Sequence, residues 1–289
     1  MTLETRDLTP EFGTEILGFD PAAPLDEATC TQLQHLFDTR GVLLFRGIDL
    51  SHADQVRISR MLIRQEGEGD GSSNEELPED NYYVSNRNPE SGAPFGRLQF
   101  HADTMWCATP YKVLSLYGLQ VEQPTAPTIF VSGTGAWKTL PDDLRERIKD
   151  LKVVHTAGSV RRGDTTDVLV SDVANPPSTV TSLAHRHPRT GETVLLACEQ
   201  MTKEIVGLPH DESERILGEV FDHLYRPEGI WTHEWRERDF IVWDNIAMQH
   251  SRKNVTLEGP TRVLRKYATP TPVLRTDERP VFTAAGAMS

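Results

Sequence analysis

The chain has 289 residues, of which 30 are Lys or Arg and 43 are Asp or Glu, so its formal net charge is −13. This charge argues against nucleic-acid binders and polybasic membrane-surface proteins, because both gather lysine and arginine against phosphate. Hydrophobic residues make up 37% of the chain and charged residues 25%, which is typical of a folded globular protein. The partner that composition predicts is therefore a small molecule, with no role for nucleic acid or a membrane.

The cysteines and the N-terminus predict an intracellular setting. Cys30, Cys107 and Cys198 are odd in number and widely spaced, so a disulfide framework is not expected. The first residues lack the apolar core of a signal peptide, and no apolar run is long enough to span a bilayer. No repeat or linker divides the chain. We therefore expect a cytoplasmic protein that folds as one domain over residues 1–289.

The first part of the chain predicts a helix, a strand and a second helix. Apolar residues recur at helical spacing over residues 26–38, and Gly41 is expected to end that helix. Val42–Phe45 is entirely apolar and predicts a buried strand. Ser51, with Asp54 three residues later, is typical of a helix N-cap, so a second helix is expected to begin there.

Residues 66–80 interrupt this pattern with a strongly acidic run. The run holds seven acidic residues, three glycines, one leucine and no basic residue. Long polar segments inside compact proteins usually form loops, and some of these loops cover a binding site. We predict a substrate loop or lid over residues 65–97. A solvated surface excursion without function is the alternative.

Short β-type runs dominate the rest of the chain. They cover residues 113–119, 128–131, 193–198, 240–243 and 261–268. Two helices interrupt them: Leu140, Leu144 and Ile148 lie at i, i+4 spacing, and a broader apolar face covers residues 216–224. Many short strands with few helices predict a mainly β fold with helical decoration, either a sandwich, a jelly roll or a barrel.

Three His-x-acid motifs are candidates for metal binding. The motifs at His52 and His210 open predicted helices, where an acidic residue suits the helix dipole, so capping is favoured for both. The motif His101-Ala102-Asp103 instead ends an extended segment. Residues i and i+2 of a strand project to the same side, so this imidazole and this carboxylate can converge on one point.

A metal needs a third ligand, and His250 is the strongest candidate. It follows the hydrophobic run at 240–243 and a turn. Two histidines and one carboxylate form the facial triad of oxygen-activating non-haem Fe(II), which leaves coordination positions open. A buried, hydrogen-bonded structural histidine is the alternative for His250.

The strand that starts at Arg262 adds a candidate anion site. In an extended chain Arg262, Leu264 and Lys266 share one face, whereas Arg265 points the other way. An arginine inside a barrel needs an anion, and its planar fork fits a carboxylate in bidentate fashion. An edge strand with its cations in water is the alternative.

Taken together, these pieces resemble the Fe(II)/2-oxoglutarate-dependent dioxygenases of the taurine dioxygenase and 2,4-dichlorophenoxyacetate dioxygenase type. The likeness covers nearly the whole chain. It includes, in order, residues 12–18, residues 40–47, the His101-x-Asp103 motif, residues 187–191, the turn at 243–245 with His250, and the Arg262 strand. The resemblance implies a double-stranded β-helix, which is a cupin-like jelly roll, with iron at its mouth.

The resemblance also implies roles for particular residues. His101, Asp103 and His250 would hold Fe(II), and Thr128 with Arg262 would hold the distal carboxylate of 2-oxoglutarate. With O2, the co-substrate would give succinate and CO2 while an unactivated C–H bond of the substrate is hydroxylated. Related halogenases lack the carboxylate, so its presence favours a non-halogenating reaction. Desaturation, cyclisation or C–N oxidation with the same cofactors is the alternative, and a non-catalytic metabolite binder is the rival class.

The expected substrate region departs from the family pattern. Relatives that act on sulfonates or carboxylates place a second arginine four residues after the oxoglutarate-binding one, and Lys266 stands there in this chain. Arg97 is a further cationic candidate. Met105 and Trp106 are candidates for an apolar wall, with ordinary core packing as the alternative.

Two further expectations concern the partners. A cationic pocket would favour an anionic substrate, and an acidic lid over it would favour one that carries both an anion and an amine. The resemblance also implies a homo-oligomer, either a dimer or a tetramer.

Overall fold

The computed structural model describes residues 3–65, 83–158, 166–171, 175–272 and 282–284. Its helices are α1 Glu27–Arg40, α2 His52–Leu62, α3 Gly133–Thr139, α4 Asp142–Ile148 and α5 His210–Leu224. Its strands are β1 Glu4–Asp7, β2 Thr14–Leu17, β3 Val42–Phe45, β4 Tyr83–Ser85, β5 Gly96–His101, β6 Val113–Val121, β7 Thr128–Ser132, β8 Lys152–Thr156, β9 Leu169–Ser171, β10 Ser178–Ser182, β11 Ala184–Arg186, β12 Thr193–Leu195, β13 Thr202–Ile205, β14 Ile230–His233, β15 Phe240–Asp244, β16 Met248–Val255, β17 Arg262–Thr269 and β18 Phe282–Ala284.

Two large sheets position the site. The larger sheet has seven strands in the order β1-β2-β3-β15-β6-β17-β4, and the smaller has four in the order β14-β7-β16-β5. Every described pairing within these sheets is antiparallel except that of β2 with β3. Three small sheets, β10-β8-β13, β11-β12 and β9-β18, complete the strands. The prediction of a mainly β fold with helical decoration is confirmed.

The core lies between the two large sheets and beneath the helices. Leu44, Leu116 and Trp243 of the larger sheet pack against Phe130 and Met248 of the smaller one. Helices α1 and α2 cover the opposite face of the larger sheet, whereas α3, α4 and α5 form a separate apolar cluster beside the smaller sheet. Strand β3 is buried on both faces, which explains why its sequence is apolar without alternation.

Local signals set the ends of the first two helices as predicted. The side chain of Asp26 accepts a hydrogen bond from the Thr29 amide, and Gly41 ends α1 at φ +71°, in the left-handed region that glycine tolerates. Ser51 caps α2, with its hydroxyl oxygen 3.0 Å from the Asp54 amide nitrogen. Both caps satisfy amides that have no partner inside the helix.

The apolar spacing of Leu140, Leu144 and Ile148 does not belong to one helix, so that prediction is wrong. Helix α3 ends at Thr139, Leu140 is extended at ψ 133°, and Pro141 precedes α4. A proline disfavours helical backbone at the residue before it, so the chain breaks there. The three side chains still share one buried cluster, because the two short helices pack on the same core.

Two other predictions need adjustment. The strand expected at 193–198 is shorter, since β12 ends at Leu195. The acidic run at 66–80 lies outside the described residues. In the described part of the expected lid, residues 83–85 form β4 and pair with β17 in the larger sheet. Within the described ranges, no helix combines the length and the apolar character that a membrane crossing requires.

Candidate active site

The smaller sheet brings the three predicted metal ligands together. His101 is the last residue of β5, Asp103 lies two residues beyond it, and His250 on β16 pairs directly opposite His101. Asp103 Oδ1 is 3.2 Å from His101 Nε2 and 3.8 Å from His250 Nε2. One potential ligand atom from each residue lies within 4.8 Å of the others. In the part of the chain that the structure describes, this is the one cluster of His, Cys, Asp or Glu with that geometry.

Hydrogen bonds orient two of the three predicted ligands. Nδ1 of His101 lies 2.8 Å from the carbonyl oxygen of Gln99. A carbonyl can only accept, so we assign the proton to Nδ1, which leaves the lone pair of Nε2 for a metal. Asn245 holds the backbone of Asp103 from both sides: its Oδ1 accepts from the Asp103 amide, and its Nδ2 donates to the Asp103 carbonyl, each at 2.9 Å.

Lys266 holds the side chain of Asp103. Its Nζ donates to Asp103 Oδ2 at 2.6 Å, so Oδ1 is the oxygen that faces the two imidazoles. Burial works to raise the pKa of Asp103, but the positive charge of Lys266 outweighs it and holds this pKa well below its usual value. Burial holds the pKa of His250 well below its usual value. An ionised carboxylate beside a neutral imidazole is the protonation state that metal binding requires.

The contacts of His250 favour a ligand over a structural histidine. Its Nδ1 is buried and has no hydrogen-bond partner among the described residues. Its Nε2 stands 3.8 Å from Asp103, beyond hydrogen-bond distance. The ring packs between that of His101, at 4.2 Å between centroids, and that of Trp243, at 4.9 Å. The donor set of two imidazoles and one carboxylate fits Fe(II).

A buried arginine lies on β17, the strand that also carries Lys266. Arg262 is 2% exposed. The alternative of an edge strand with its cations in water is wrong, because β17 lies between β6 and β4. Its Nε donates to the carbonyl of Ala126 at 3.2 Å, and its Nη2 donates to Thr128 Oγ1 at 3.4 Å. No carboxylate of the described chain pairs with it. A buried cation without an acidic partner indicates an anion site.

Sequence inspection missed a second buried arginine beside the first. Arg252, on β16, opposes Thr128 in the pairing with β7 and is 3% exposed. Its guanidinium donates to three backbone carbonyls within residues 93–96, at 2.7 to 2.8 Å. Burial, followed by the charge of Arg252, holds the pKa of Arg262 well below its usual value. The only sequence signal was the position of Arg252 two residues after His250, on the same face of the strand.

The remaining cations and motifs lie where their contacts explain them. Arg265 points to the opposite side of β17, as the alternation predicts, and donates to Gln55 and to the carbonyl of Leu50. His52 and His210 are the first residues of α2 and α5. The capping interpretation is confirmed at His52, where Ser51 caps the helix. At His210 only part of it is confirmed: Asp211 and Glu212 lie in the first turn, but Pro209 precedes the helix and no side chain caps it. Arg97 on β5 donates to the carbonyl of Thr166 at 3.3 Å.

Met105 and Trp106 lie just beyond Asp103 in a buried cluster. They are 3% and 7% exposed and pack with a group that is rich in sulfur: Cys107, Leu196, Cys198 and Met201. The Sγ of Cys198 lies 3.6 Å from the Sδ of Met105. This cluster forms an apolar support beneath the loop that carries the acidic ligand.

Comparison with known proteins identifies relatives along the whole chain. The family model described as "Taurine catabolism dioxygenase TauD, TfdA family" matches residues 4–267. Pentalenolactone F synthase of Streptomyces avermitilis is 26% identical, over 92% of this chain and 93% of that protein. The alpha-ketoglutarate-dependent 2,4-dichlorophenoxyacetate dioxygenase of Cupriavidus pinatubonensis is 24% identical, over 93% of this chain and 98% of that protein.

Solved structures share the fold. A taurine dioxygenase from Burkholderia xenovorans superimposes with a TM-score of 0.72 at 24% identity, covering 98% of this chain and 96% of that one. The structure of AAD-2 in complex with Mn(II) and N-oxalylglycine gives a TM-score of 0.72 at 21% identity, covering 95% of this chain and 100% of that one. At these identities the likeness establishes a common architecture.

Proposed function

This chain belongs to the TauD/TfdA family of 2-oxoglutarate-dependent dioxygenases, and we propose that it hydroxylates a C–H bond of a small organic substrate at an iron held by His101, Asp103 and His250. The observation that carries the proposal is the convergence of these three side chains, together with a buried arginine that pairs with no carboxylate of the described residues. We assign Thr128 and Arg262 to the distal carboxylate of 2-oxoglutarate. The two facing sheets of seven and four strands support a double-stranded β-helix of the jelly-roll type.

The protein residues prepare the site before any substrate arrives. When bound, Fe(II) supplies the chemistry that couples decarboxylation of 2-oxoglutarate to oxidation of the substrate. His101, Asp103 and His250 would hold the metal through two imidazole nitrogens and one carboxylate oxygen. Arg262 offers the co-substrate a charge-assisted hydrogen bond inside a dry pocket, where such bonds are strong. Trp243 packs on His250 and keeps water away from that ligand.

The names of the relatives support an organic anion as the substrate. They include 2,4-dichlorophenoxyacetate dioxygenase, (S)-phenoxypropionate/alpha-ketoglutarate-dioxygenase and alkylsulfatase. The first two names specify a carboxylate, and the third implies a sulfate ester. We extend this class to the present chain, and the acidic run at 66–80 adds a zwitterion to the candidates. We assign hydroxylation as the outcome. Desaturation, cyclisation and C–N oxidation are the alternatives, and the position of the substrate carbon decides among them.

Anaerobic addition of Fe(II) and 2-oxoglutarate tests the proposal. We expect a weak visible charge-transfer band, and succinate after air is admitted. His101→Ala removes a ligand and is expected to abolish both signals. His210→Ala is the matched control, because it alters the same kind of His-x-acid motif at an exposed helix start. Absence of both signals in the wild-type protein, or wild-type signals in His101→Ala, would contradict the assignment.

A panel of substrates extends the same assay. Aryloxyalkanoates, alkyl sulfates, sulfonates, amino acids and neutral lactones are each added to the iron-loaded protein with 2-oxoglutarate, and succinate release is measured. We expect carboxylates, sulfates or zwitterions to stimulate succinate release above the uncoupled background. Stimulation by the neutral lactones alone would contradict the anionic class while leaving the cofactor chemistry intact.

A further inference from the structure

We propose that Trp235 is a positioning residue of the co-substrate pocket, where it holds the Thr128 hydroxyl in the orientation that donates to the distal carboxylate of 2-oxoglutarate. The inference rests on the proposed function, because that function assigns Thr128 and Arg262 to this carboxylate. Trp235 lies in the connection between β14 and β15 and is fully buried. Neither its position in the sequence nor its apolar neighbours marks it as part of a site.

The hydrogen bonds around Thr128 decide which way its proton points. The indole Nε1 of Trp235 lies 2.9 Å from Thr128 Oγ1, and Nη2 of Arg262 lies 3.4 Å from the same oxygen. An indole N–H and a guanidinium can only donate, so both must approach lone pairs of the hydroxyl. A hydroxyl has two lone pairs and one proton. With both lone pairs engaged, the proton is left to donate elsewhere.

No acceptor takes that proton among the residues that the structure describes. Thr128 is 2% exposed, so bulk water does not serve it freely. A buried donor without an acceptor is costly unless a ligand supplies one. A carboxylate oxygen placed beside Arg262 would accept from both groups at once. The Thr128 hydroxyl is therefore fixed as a donor. It can bind an anion such as a carboxylate, and it cannot accept a hydrogen bond from a neutral donor in the ligand.

Trp235 also contacts the arginine of the pocket. The guanidinium carbon of Arg262 lies 5.9 Å from the centroid of the indole, within cation–π range. One side chain thus touches both groups that we assign to the distal carboxylate. Gln123 anchors Trp235 by donating to its carbonyl at 2.6 Å, and the ring of His233 packs edge-on at 4.5 Å. Orienting the pocket during folding lowers the cost of ordering it when the ligand binds.

Core packing is the rival explanation, because Trp235 also belongs to the apolar cluster between the sheets. Trp235→Phe separates the two roles, since it keeps an aromatic ring beside Arg262 and removes only the N–H and part of the ring. We expect about a tenfold weaker affinity for 2-oxoglutarate, as befits a weakened hydrogen bond to a charged group. We expect the KM for 2-oxoglutarate to rise and kcat at saturating co-substrate to stay near wild type. Mere core packing would lower stability and leave the affinity unchanged.

The test titrates 2-oxoglutarate into Fe(II)-loaded protein without oxygen, following the charge-transfer band and the heat of binding. Trp231→Phe is the matched control: its indole packs on Phe130, at 5.7 Å between centroids, from the neighbouring strand β14. A double-mutant cycle with Thr128→Val adds the decisive comparison. If Trp235 acts through the hydroxyl, Trp235→Phe changes the affinity little once Thr128 is valine. Should Trp235→Phe fail to fold, benzothienylalanine at this position keeps the bicyclic shape without the N–H.

The outcomes separate this inference from the proposed function. Wild-type affinity in Trp235→Phe, or strictly additive losses in the cycle, overturns the positioning role while the proposed function stands. Wild-type affinity in Thr128→Val removes Thr128 from the pocket and the positioning role with it. If the wild-type protein does not bind 2-oxoglutarate, both the proposed function and this inference fail. The positioning role is supported if Trp235→Phe weakens binding of 2-oxoglutarate, Trp231→Phe does not, and Trp235→Phe has little further effect once Thr128 is valine.

Discussion

A single contact in the structure changes the role that we infer for Lys266. By its spacing from Arg262 it was a candidate for binding an anionic group of the substrate. In the structure its ammonium lies 2.6 Å from Asp103 Oδ2, between residues that are 163 positions apart in the chain. Burial works to lower the pKa of Lys266, but Asp103 outweighs it and raises this pKa above its usual value. The charge of Lys266 is therefore directed at the carboxylate that we propose as a metal ligand.

We predict that Lys266→Met weakens metal binding. Without its partner, the carboxylate of Asp103 can rotate and no longer presents Oδ1 alone to the metal, so Fe(II) affinity should fall about tenfold or more. Anaerobic calorimetry with Fe(II), and the visible spectrum of the Co(II)-substituted protein, measure this directly. Lys266→Arg keeps the charge and should retain most of the affinity. Lys138→Met, at an exposed ion pair with Glu192, is the surface control.

The substrate role of Lys266 makes a different prediction from the same variant. If its ammonium serves chiefly as a substrate anchor, Lys266→Met raises the KM for the substrate and leaves Fe(II) affinity at the wild-type value. That result would contradict the positioning role at Asp103.

At the scale of elements, the turn between β15 and β16 joins the two large sheets at the site. Asp244 accepts hydrogen bonds from the amides of Ile246 and Ala247, at 2.9 and 3.1 Å, and it is paired with His187 and Arg189. These bonds shape the turn from which β16 emerges with His250 opposite His101. Asn245, next in the turn, reaches across to the backbone of Asp103 and Tyr111.

We predict that Asn245→Ala destabilises the fold and loosens the site. The change leaves the Asp103 amide and the Tyr111 carbonyl without their partner, and each unsatisfied buried group costs about 1–3 kcal/mol. Urea unfolding should therefore show a loss of about 2–4 kcal/mol, with weaker Fe(II) binding in the folded protein. Asn254→Ala, at an exposed position on β16, should change stability by less than about 0.5 kcal/mol. Equal stability of the two variants would remove the turn from this role.

At the scale of the whole molecule, buried histidines make stability depend on pH. Burial lowers the pKa of His155 to about 4, and burial with the charges of Arg46 and Arg262 lowers that of His233 to about 3. A histidine in the unfolded chain titrates near 6.5, so the unfolded state binds more protons below that pH. Each neutral buried ring therefore favours the folded state above pH 6.5, and this advantage declines as the pH falls toward the folded pKa.

We predict that the free energy of unfolding decreases between pH 6.5 and pH 4. Each such histidine adds a slope of up to about 1.4 kcal/mol per pH unit. Urea unfolding at several pH values measures the slope. His155→Gln should reduce the slope by the contribution of one histidine. Among the described residues the ring of His155 bonds to Thr181 and Thr202, away from the proposed ligands, so the comparison avoids the proposed metal site. A slope that is the same in His155→Gln would show that this ring does not take up a proton on unfolding.

Local chemistry in the sequence was enough for the cap at Ser51, the glycine that ends α1, most strands and the identity of the ligand triad candidates. The caps at Asp26 and Ser51 depend on contacts within three or four residues. Which residues of β17 share a face of the sheet follows from the twofold period of a strand alone. The same local rule failed at Leu140, where apolar spacing continued across a proline that broke the helix.

What the sequence by itself determined were most of the elements, the His-x-Asp motif and the shared strand face of Arg262 and Lys266. The tertiary structure alone decided which distant groups meet: His250 with His101 across β16 and β5, Lys266 with Asp103, and Trp235 with Thr128. The physical reason is the range of the interactions. Capping and periodicity arise from a few neighbouring residues, whereas these contacts depend on strand register and on how two sheets pack around a common core.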